Sequence, residues 1–137
     1  MIIDATNKVV GRIATVAAKQ ALLGEELSIV NCEKAIVTGK RAFVLSDAKR
    51  RRDQGTFRGP FIPSMPDRYV RRIIRGMLPY RQEKGRKAYQ RILCYIGLPK
   101  AFEGKEMFEI GEADASHVKN LYKVTISEIC SHLKTKQ

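Results

Sequence analysis

The sequence predicts an α/β fold in which helices cover a parallel sheet. Two short apolar runs with strand character, residues 1–4 and 27–32, flank a segment whose small apolar side chains recur at helical spacing. Short links join the three segments, as in the strand–helix–strand units that build parallel sheets. The chain has 137 residues, 44% of them hydrophobic, which suits one domain with a buried core. We therefore expect a single domain over residues 1–137.

The first helix is predicted to begin at Val10. Its apolar residues recur at the spacing of one helix face as far as Leu22, and Gly24 follows as a C-terminal stop. Before this helix, the polar residues 5–7 provide a turn after the first strand. The second strand, residues 27–32, is a compact run rich in β-branched side chains.

The next part of the chain is predicted to contain a short strand, a helix and a loop. The strand covers residues 35–37, and the helix covers residues 40–52. Residues 53–65 contain two glycines and two prolines and have no apolar periodicity, so they are predicted to form a loop. The helix side chains expected to face the core are Phe43, Val44 and Ala48.

The second half of the chain returns to helices and strands. A proline and an acid suit the first turn of a helix over residues 66–77, and a basic helical turn is expected over residues 85–90. Residues 92–98 are the clearest late strand, and residues 121–124 are a further candidate.

A last helix is predicted to begin at Thr125. Glu128 lies three residues further on, which is the spacing of a capping box. The side chains expected to face the core are Ile126, Ile129, Cys130 and Leu133.

The surplus positive charge is confined to the middle of the chain. Residues 40–91 contain 16 Lys and Arg and four acids, a net charge of +12, whereas residues 1–39 and 92–137 are each neutral. A concentration of one sign of charge favours a polyanionic partner, and nucleic acid is the leading hypothesis. We expect residues 40–91 to be the nucleic-acid-binding segment of the single domain.

The most specific signal in this segment is an arginine stripe on the helix predicted over residues 66–77. Four arginines occupy positions i, i+3, i+4 and i+7, and only Asp67 lies nearby to offset their repulsion. Arginine suits phosphate because its planar guanidinium donates two hydrogen bonds to one group. RNA or DNA contact is therefore favoured over an ordinary solvated face, and Arg71, Arg72 and Arg75 are expected to be dispensable for folding.

Other cations and the aromatic residues of the segment have two interpretations. Residues 49–52 end a predicted helix, where cations stabilise the C-terminal dipole whether or not they bind a partner. Gly85 either lets the backbone approach a phosphate or begins a helix. Four aromatic side chains also have two interpretations, stacking on bases or packing in the core: Phe57, Tyr69, Tyr80 and Tyr89. The predicted RNA-binding residues are Lys40, Arg41, Lys49, Arg50, Arg51, Arg52, Arg58, Arg68, Arg71, Arg72, Arg75, Arg81, Lys84, Arg86, Lys87 and Arg91.

Signatures of other protein classes are absent from the sequence. The segment around Thr38-Gly39-Lys40 lacks the first glycine and the Ser or Thr of a phosphate-binding loop. No catalytic triad or metal-ligand spacing is identifiable, and the three cysteines are expected to be buried thiols in a reducing cytosol. No apolar run reaches the roughly 18 residues of a membrane span. We expect no catalysis, cofactor, metal, small-molecule substrate or membrane association.

Several blocks of sequence occur in the order of one family. They are DATNKVVGRIATVAAKQALLGE, IVNCEKAIVTGKR, RRIIRGMLPY, GRKAYQRILCYIGLP and KVTISEI. On these blocks the chain resembles the large-ribosomal-subunit proteins of universal family thirteen over nearly its whole length. The segment DQGTFRGPFIPSMPDR resembles the archaeal and eukaryotic pattern, whereas bacterial members carry a His-Ser-Gly-Tyr type segment instead. The short length, without the long C-terminal extension of eukaryotic members, indicates the archaeal type.

The resemblance implies a three-layer α/β/α fold around a parallel sheet of about four strands, with a basic loop-helix extension. It also implies a cytoplasmic structural role in the large ribosomal subunit, with large-subunit ribosomal RNA and neighbouring ribosomal proteins as partners. The basic blocks that it places against RNA are 40–41, 71–79 and 85–87. Two other classes remain as alternatives: an enzyme acting on RNA or nucleotides, and a free-standing DNA-binding regulator.

Overall fold

The computed structural model describes residues 1–135 and contains both strands and helices. The strands are β1 (Ile2–Asp4), β2 (Leu27–Val30), β3 (Ile36–Thr38), β4 (Ile92–Cys94) and β5 (Lys123–Thr125). The helices are α1 (Val10–Leu23), α2 (Arg41–Asp53), α3 (Pro66–Gly76), α4 (Glu83–Gln90) and α5 (Ile126–Lys134). Each of these elements overlaps a predicted one, and the predicted α/β fold class is confirmed.

The parallel sheet has three strands in the order β1–β2–β4. Ile29 in the central strand lies opposite Ile3 of β1 on one side and Cys94 of β4 on the other. Beyond β1, the backbone N–H of Phe108 donates to the carbonyl of Ile2 at 2.7 Å and forms a single parallel bridge. About four strands were expected in the parallel sheet; the structure has three strands, together with the single bridge at Phe108.

β3 belongs to a separate two-stranded sheet, where it pairs antiparallel with β5. The chain is redirected after β2 because Asn31 adopts a left-handed conformation (φ 55°) and residues 32–34 form a 3₁₀ turn. Asparagine tolerates this conformation better than most residues do. Ile36 then pairs with Thr125 instead of extending the parallel sheet.

Asp4 and Asn31 tie the ends of β1 and β2 together. Oδ1 of Asp4 accepts hydrogen bonds from the Thr6 hydroxyl at 2.7 Å and from Nδ2 of Asn31 at 2.9 Å. Burial acts to raise the pKa of Asp4, but the hydrogen bonds from Asn31 and Thr6 outweigh it and lower the pKa below its ordinary value. The carboxylate is thus a structural anchor at the carboxyl edge of the sheet.

Helix α1 buries the predicted apolar face against the sheet and against α3 and α4. Its buried face contains four alanines, and such small side chains allow close helix contacts. Gly24 ends the helix in a left-handed conformation (φ 108°), as predicted. On β2, Ile29 faces this core, and the adjacent Val30, whose side chain alternates to the other face, is also fully buried. Both faces of the central strand are therefore covered.

Helix α5 carries the predicted cap. The Thr125 hydroxyl accepts a hydrogen bond from the Glu128 N–H at 3.3 Å. The Glu128 carboxylate pairs with Nε of Arg41 at 2.8 Å instead of closing a reciprocal box. The four side chains predicted to face the core are all buried: Ile126, Ile129, Cys130 and Leu133.

Two sequence expectations are wrong in detail. Phe43 on α2 was expected to face the core, yet its side chain is 71% exposed, while Val44, Leu45 and Ala48 supply the inward face. The strand predicted over residues 92–98 ends at Cys94, because Gly97 turns the chain at a positive φ of 67°. Three apolar side chains of that segment are exposed: Leu93 within β4, and Ile96 and Leu98 beyond it.

The cysteines are free thiols, and the predicted burial is found for two of the three. Cys32 and Cys130 are buried and Cys94 is half-buried. Burial raises the pKa of Cys130 to about 11, and the hydrogen bond with Cys32 together with burial raises the pKa of Cys94. Cys94 and Cys130 therefore stay protonated at neutral pH. No helix within residues 1–135 has the length and apolar character needed to cross a membrane.

Candidate nucleic-acid interface

The basic segment 40–91 folds into α2, α3 and α4 and the loop between α2 and α3. Helix α3 anchors this region, because Val70 and Ile74 are fully buried and Pro66 occupies its first turn. Because the apolar side of α3 is fixed in the core, Arg68 and Arg72 are directed to the surface, and both are exposed. The fold thus turns part of the predicted stripe into an outward basic surface.

The predicted stripe is divided between two environments. The guanidinium of Arg71 lies 4.4 Å from the Tyr89 ring centroid, and its Nη2 donates to the Tyr89 carbonyl at 3.3 Å. The guanidinium of Arg75 lies 3.9 Å from the Tyr80 ring centroid. Each arginine is therefore held by a cation–π contact within the protein. The arginines of the predicted stripe therefore differ in their contacts, because Arg71 and Arg75 tie α3 to the chain that follows it.

Two of the interleaved tyrosines are part of this packing. The rings of Tyr80 and Tyr89 meet edge to face, with centroids 5.4 Å apart. Tyr69 is half-buried beside α2, and burial raises its pKa. Phe57, in contrast, is fully exposed in the loop, next to the exposed Arg58. Among the four aromatic residues with two interpretations, Phe57 is the one whose whole ring is free to stack on a base.

The cations of α2 have acidic partners on the surface. Asp47 pairs with Arg50 at 2.6 Å and with Arg51 at 2.8 Å, and the hydrogen bond from Arg50 is the main reason that the pKa of Asp47 is lowered. Arg41 pairs with Glu128 at 2.8 Å. Exposed pairs of this kind contribute little to stability. Their guanidiniums remain largely solvated and retain donors that a phosphate can use.

Arg52 and Arg91 cap other helices. Nη1 of Arg52 donates to the Leu133 carbonyl in the last turn of α5 at 2.6 Å, and its side chain is only 29% exposed. Nη1 of Arg91 donates to the Ala21 carbonyl near the end of α1 at 3.2 Å. Cations at these positions satisfy terminal carbonyls and complement the helix dipole. Arg52 therefore has a structural role, but at the end of α5 and not of its own helix α2, and Lys49 also has a partner within the protein.

Gly85 in α4 has a packing role. It is buried, and a Cβ at this position would lie 2.1 Å from the Pro79 carbonyl oxygen. The close backbone approach that glycine permits here is therefore to Pro79 of the same chain, not to an external phosphate. Around it, Lys87 pairs with Glu83 at 2.7 Å on the surface.

The remaining predicted site residues are exposed, and within residues 1–135 their side chains have no hydrogen bond, ion pair or ring contact. We call them the open cations. They are Lys40, Arg58, Arg68, Arg72, Arg81, Lys84 and Arg86. Lys84 and Arg86 lie on α4 and Arg81 precedes it, Arg68 and Arg72 lie on α3, Arg58 lies in the loop beside Phe57, and Lys40 directly precedes α2.

Within residues 1–135, no group of three or more His, Cys, Asp and Glu side chains is arranged to hold a metal ion. Sequence reasoning did miss one feature of this region, the exposure of Phe43 and Phe61 close in sequence to the basic residues. For Phe61 the available signal was the apolar content of a loop without periodicity, whereas Phe43 lies on α2 and was expected to face the core.

Residues 1–101 match the family model described as Ribosomal protein L13. The chain belongs to the ribosomal protein L13 family. It is similar to the large ribosomal subunit protein uL13 of Methanopyrus kandleri, with 41% identity over 96% of this chain and 85% of the relative. It is also similar to that of Methanosarcina barkeri, with 38% identity over 98% of each chain. The predicted family and its archaeal type are thereby confirmed.

Proposed function

We propose that this protein is a structural constituent of the large ribosomal subunit in the cytoplasm and that it binds large-subunit ribosomal RNA without catalysing a reaction. The observation that carries the proposal is the set of open cations, which project from a segment whose opposite side is anchored in the core. Family membership and the names of the relatives support large-subunit ribosomal RNA as the polyanion that this surface binds.

The open cations suit a folded RNA surface. Ribosomal RNA packs phosphates closely, and a protein that supplies cations there releases counterions and lowers the repulsion between strands. Contacts to phosphate position a protein without reading sequence, so recognition should depend on the architecture of the RNA more than on base identity. The protein would thereby support assembly of the subunit.

Not every predicted site residue has the same role in this proposal. Arg52, Arg71, Arg75 and Arg91 maintain the scaffold through their internal contacts. The open cations supply the RNA contacts, and the surface-paired Arg41, Arg50, Arg51 and Lys87 add to the local potential. Neighbouring ribosomal proteins are the second class of partner, for which exposed apolar side chains such as Leu93 and Ile96 are available.

The proposal is tested by removing charge from the open cations. A variant with Arg68, Arg72 and Arg86 replaced by Gln should bind large-subunit ribosomal RNA roughly a hundredfold more weakly than the wild type in a filter-binding assay at fixed salt. The control variant replaces the exposed Lys19, Lys100 and Lys119 of the neutral regions by Gln. It loses the same formal charge and should bind within about threefold of the wild type.

Two results would count against the proposal. Equal weakening by both variants would show that net charge alone governs binding, with no dedicated surface. Equal affinity of the wild type for duplex DNA and for large-subunit ribosomal RNA would favour a DNA-binding protein instead.

A further inference from the structure

A cavity of about 350 Å³ opens between α2, α3 and the loop that joins them. It belongs to the basic segment, and Arg72 is the open cation that lines it. Its volume lies within the range of small-ligand sites. Its lining includes Ala48, Arg51, Ile62, Tyr69, Arg72 and Ile73.

The interior of the cavity is apolar and aromatic. Ala48 is buried, and Ile73 and Tyr69 are half-buried side chains that pack against the hydrophobic core. These two side chains lie four residues apart on α3, so they present adjacent surfaces on one helix face. A flat ring entering here would replace water against an aromatic ring and an aliphatic side chain.

The rim of the cavity is positively charged. Arg72 is an open cation, and Arg51 is held in place by the bond from its Nε to Oδ2 of Asp47 at 2.8 Å. This bond uses one edge of the guanidinium, and the side chain is still 65% exposed, so further donors can face the cavity mouth. Two guanidiniums beside an apolar interior suit a ligand that joins an anionic group to a flat apolar one.

We propose that this cavity receives one unpaired nucleotide of ribosomal RNA, with its base against Tyr69 and Ile73 and its phosphate between Arg51 and Arg72. The inference rests on the proposed function and adds to it a site that reads the shape of a single extruded nucleotide. Sequence-specific contacts to RNA favour unstacked bases, which aromatic side chains and guanidinium planes accommodate. An apolar side chain of a neighbouring protein would not require the two arginines at the rim.

Gly76 provides a way to close the cavity without altering its charged rim. It lines the cavity at the end of α3, and a Cβ added there would meet no atom within 4 Å. Gly76→Leu should therefore fold normally and occupy the space proposed for the base. Gly11 on α1 has the same open surroundings and lies in the neutral part of the chain, so Gly11→Leu is a matched control.

The first experiment compares binding of large-subunit ribosomal RNA by the wild type, Gly76→Leu and Gly11→Leu. Loss of one base–aromatic contact should weaken binding by Gly76→Leu roughly tenfold, with the dependence on salt unchanged because no phosphate contact is removed. Gly11→Leu should bind as the wild type does. If Gly76→Leu also binds as the wild type does, the cavity is not a nucleotide site, although the proposed function stands. If the wild type fails to bind the RNA, the proposed function itself is wrong.

A second experiment needs no variant. In NMR titrations of the wild type, a nucleoside 5′-monophosphate at millimolar concentration should shift the resonances of Tyr69 and Ile73, whereas inorganic phosphate should not. Shifts of both residues by phosphate alone would indicate an adventitious anion site. If none of the four nucleotides shifts these resonances, the proposal is also wrong.

Discussion

Neighbouring arginines on α3 have different roles because the helix directs them to different surroundings. Arg71 is half-buried and stacks on Tyr89, to whose carbonyl it also donates a hydrogen bond. Arg72 is exposed and has no such contact within residues 1–135. A rotation of about 100° per residue separates the two side chains around the helix. The spacing alone places both arginines in one stripe, but their surroundings in the folded protein differ.

Replacing each of these arginines separately by Gln should separate stability from binding. Arg71→Gln should lower the free energy of unfolding by about 1–2 kcal/mol, because it removes a cation–π contact and a hydrogen bond. Arg72→Gln should change it by no more than about 0.5 kcal/mol, as expected at an exposed site. Urea unfolding measures both values.

Binding should show the opposite order. Arg72→Gln should weaken association with large-subunit ribosomal RNA more than Arg71→Gln does, in the same filter-binding assay. If Arg71→Gln leaves the urea midpoint unchanged, its contacts with Tyr89 are not structural. That result would support the expectation from sequence that Arg71 is dispensable for folding.

At the scale of elements, the junction between α3 and α4 depends on one glycine. The chain leaves α3 at Gly76, turns through Pro79 and enters α4, where Gly85 packs directly on the Pro79 carbonyl. The same junction brings Tyr80 and Tyr89 together beneath Arg75 and Arg71. Displacement of α4 would therefore disturb both the core and the basic surface.

Gly85→Ala should destabilise the protein in spite of the higher helix propensity of alanine. The added Cβ would lie 2.1 Å from the Pro79 oxygen, so backbone must move. We expect a loss of about 2–4 kcal/mol, which exceeds the roughly 1 kcal/mol gained from helix propensity. Thermal unfolding measures the effect, with Gly11→Ala as a control that meets no atom within 4 Å and should be neutral or slightly stabilising. Equal stability of both variants would show that α4 can shift without cost.

At the scale of the whole molecule, the charge of the basic segment is only partly available to a partner. Its formal surplus is +12, but several of its cations are held by carbonyls, rings or carboxylates of the same protein. The neutral regions build most of the core and hold the basic helices in place. Binding strength should therefore follow the open cations more closely than the net charge.

Salt should weaken binding steeply. If roughly 6–10 phosphates are neutralised, raising the salt concentration from about 50 to 200 mM should weaken binding to ribosomal RNA by about a thousandfold or more. The double variant Arg68→Gln and Arg72→Gln should reduce the slope of log affinity against log salt by about two, because two phosphate contacts are removed. Lys19→Gln should leave the slope unchanged. A nearly flat dependence for the wild type would contradict the electrostatic mechanism.

The sequence by itself determined the α/β class, the helix from Val10 to the Gly24 stop, the cap at Thr125 and the location of the charge. Each of these features depends on neighbours within a few residues, such as the periodicity of one helix face or the Thr-x-x-Glu spacing, so local pattern is sufficient. The sequence blocks shared with the family were also recognisable without the structure, because they are read directly from the chain.

Only the tertiary structure decided which cations are open, where β3 pairs and that a cavity lies between α2 and α3. Arg71 meets Tyr89, Arg52 meets Leu133 and Ile36 meets Thr125, contacts that join residues 18, 81 and about 90 positions apart. No local pattern encodes such contacts, because they depend on how complete elements pack against one another. The predicted stripe of like charges therefore became two populations, one bound within the protein and one left for a partner.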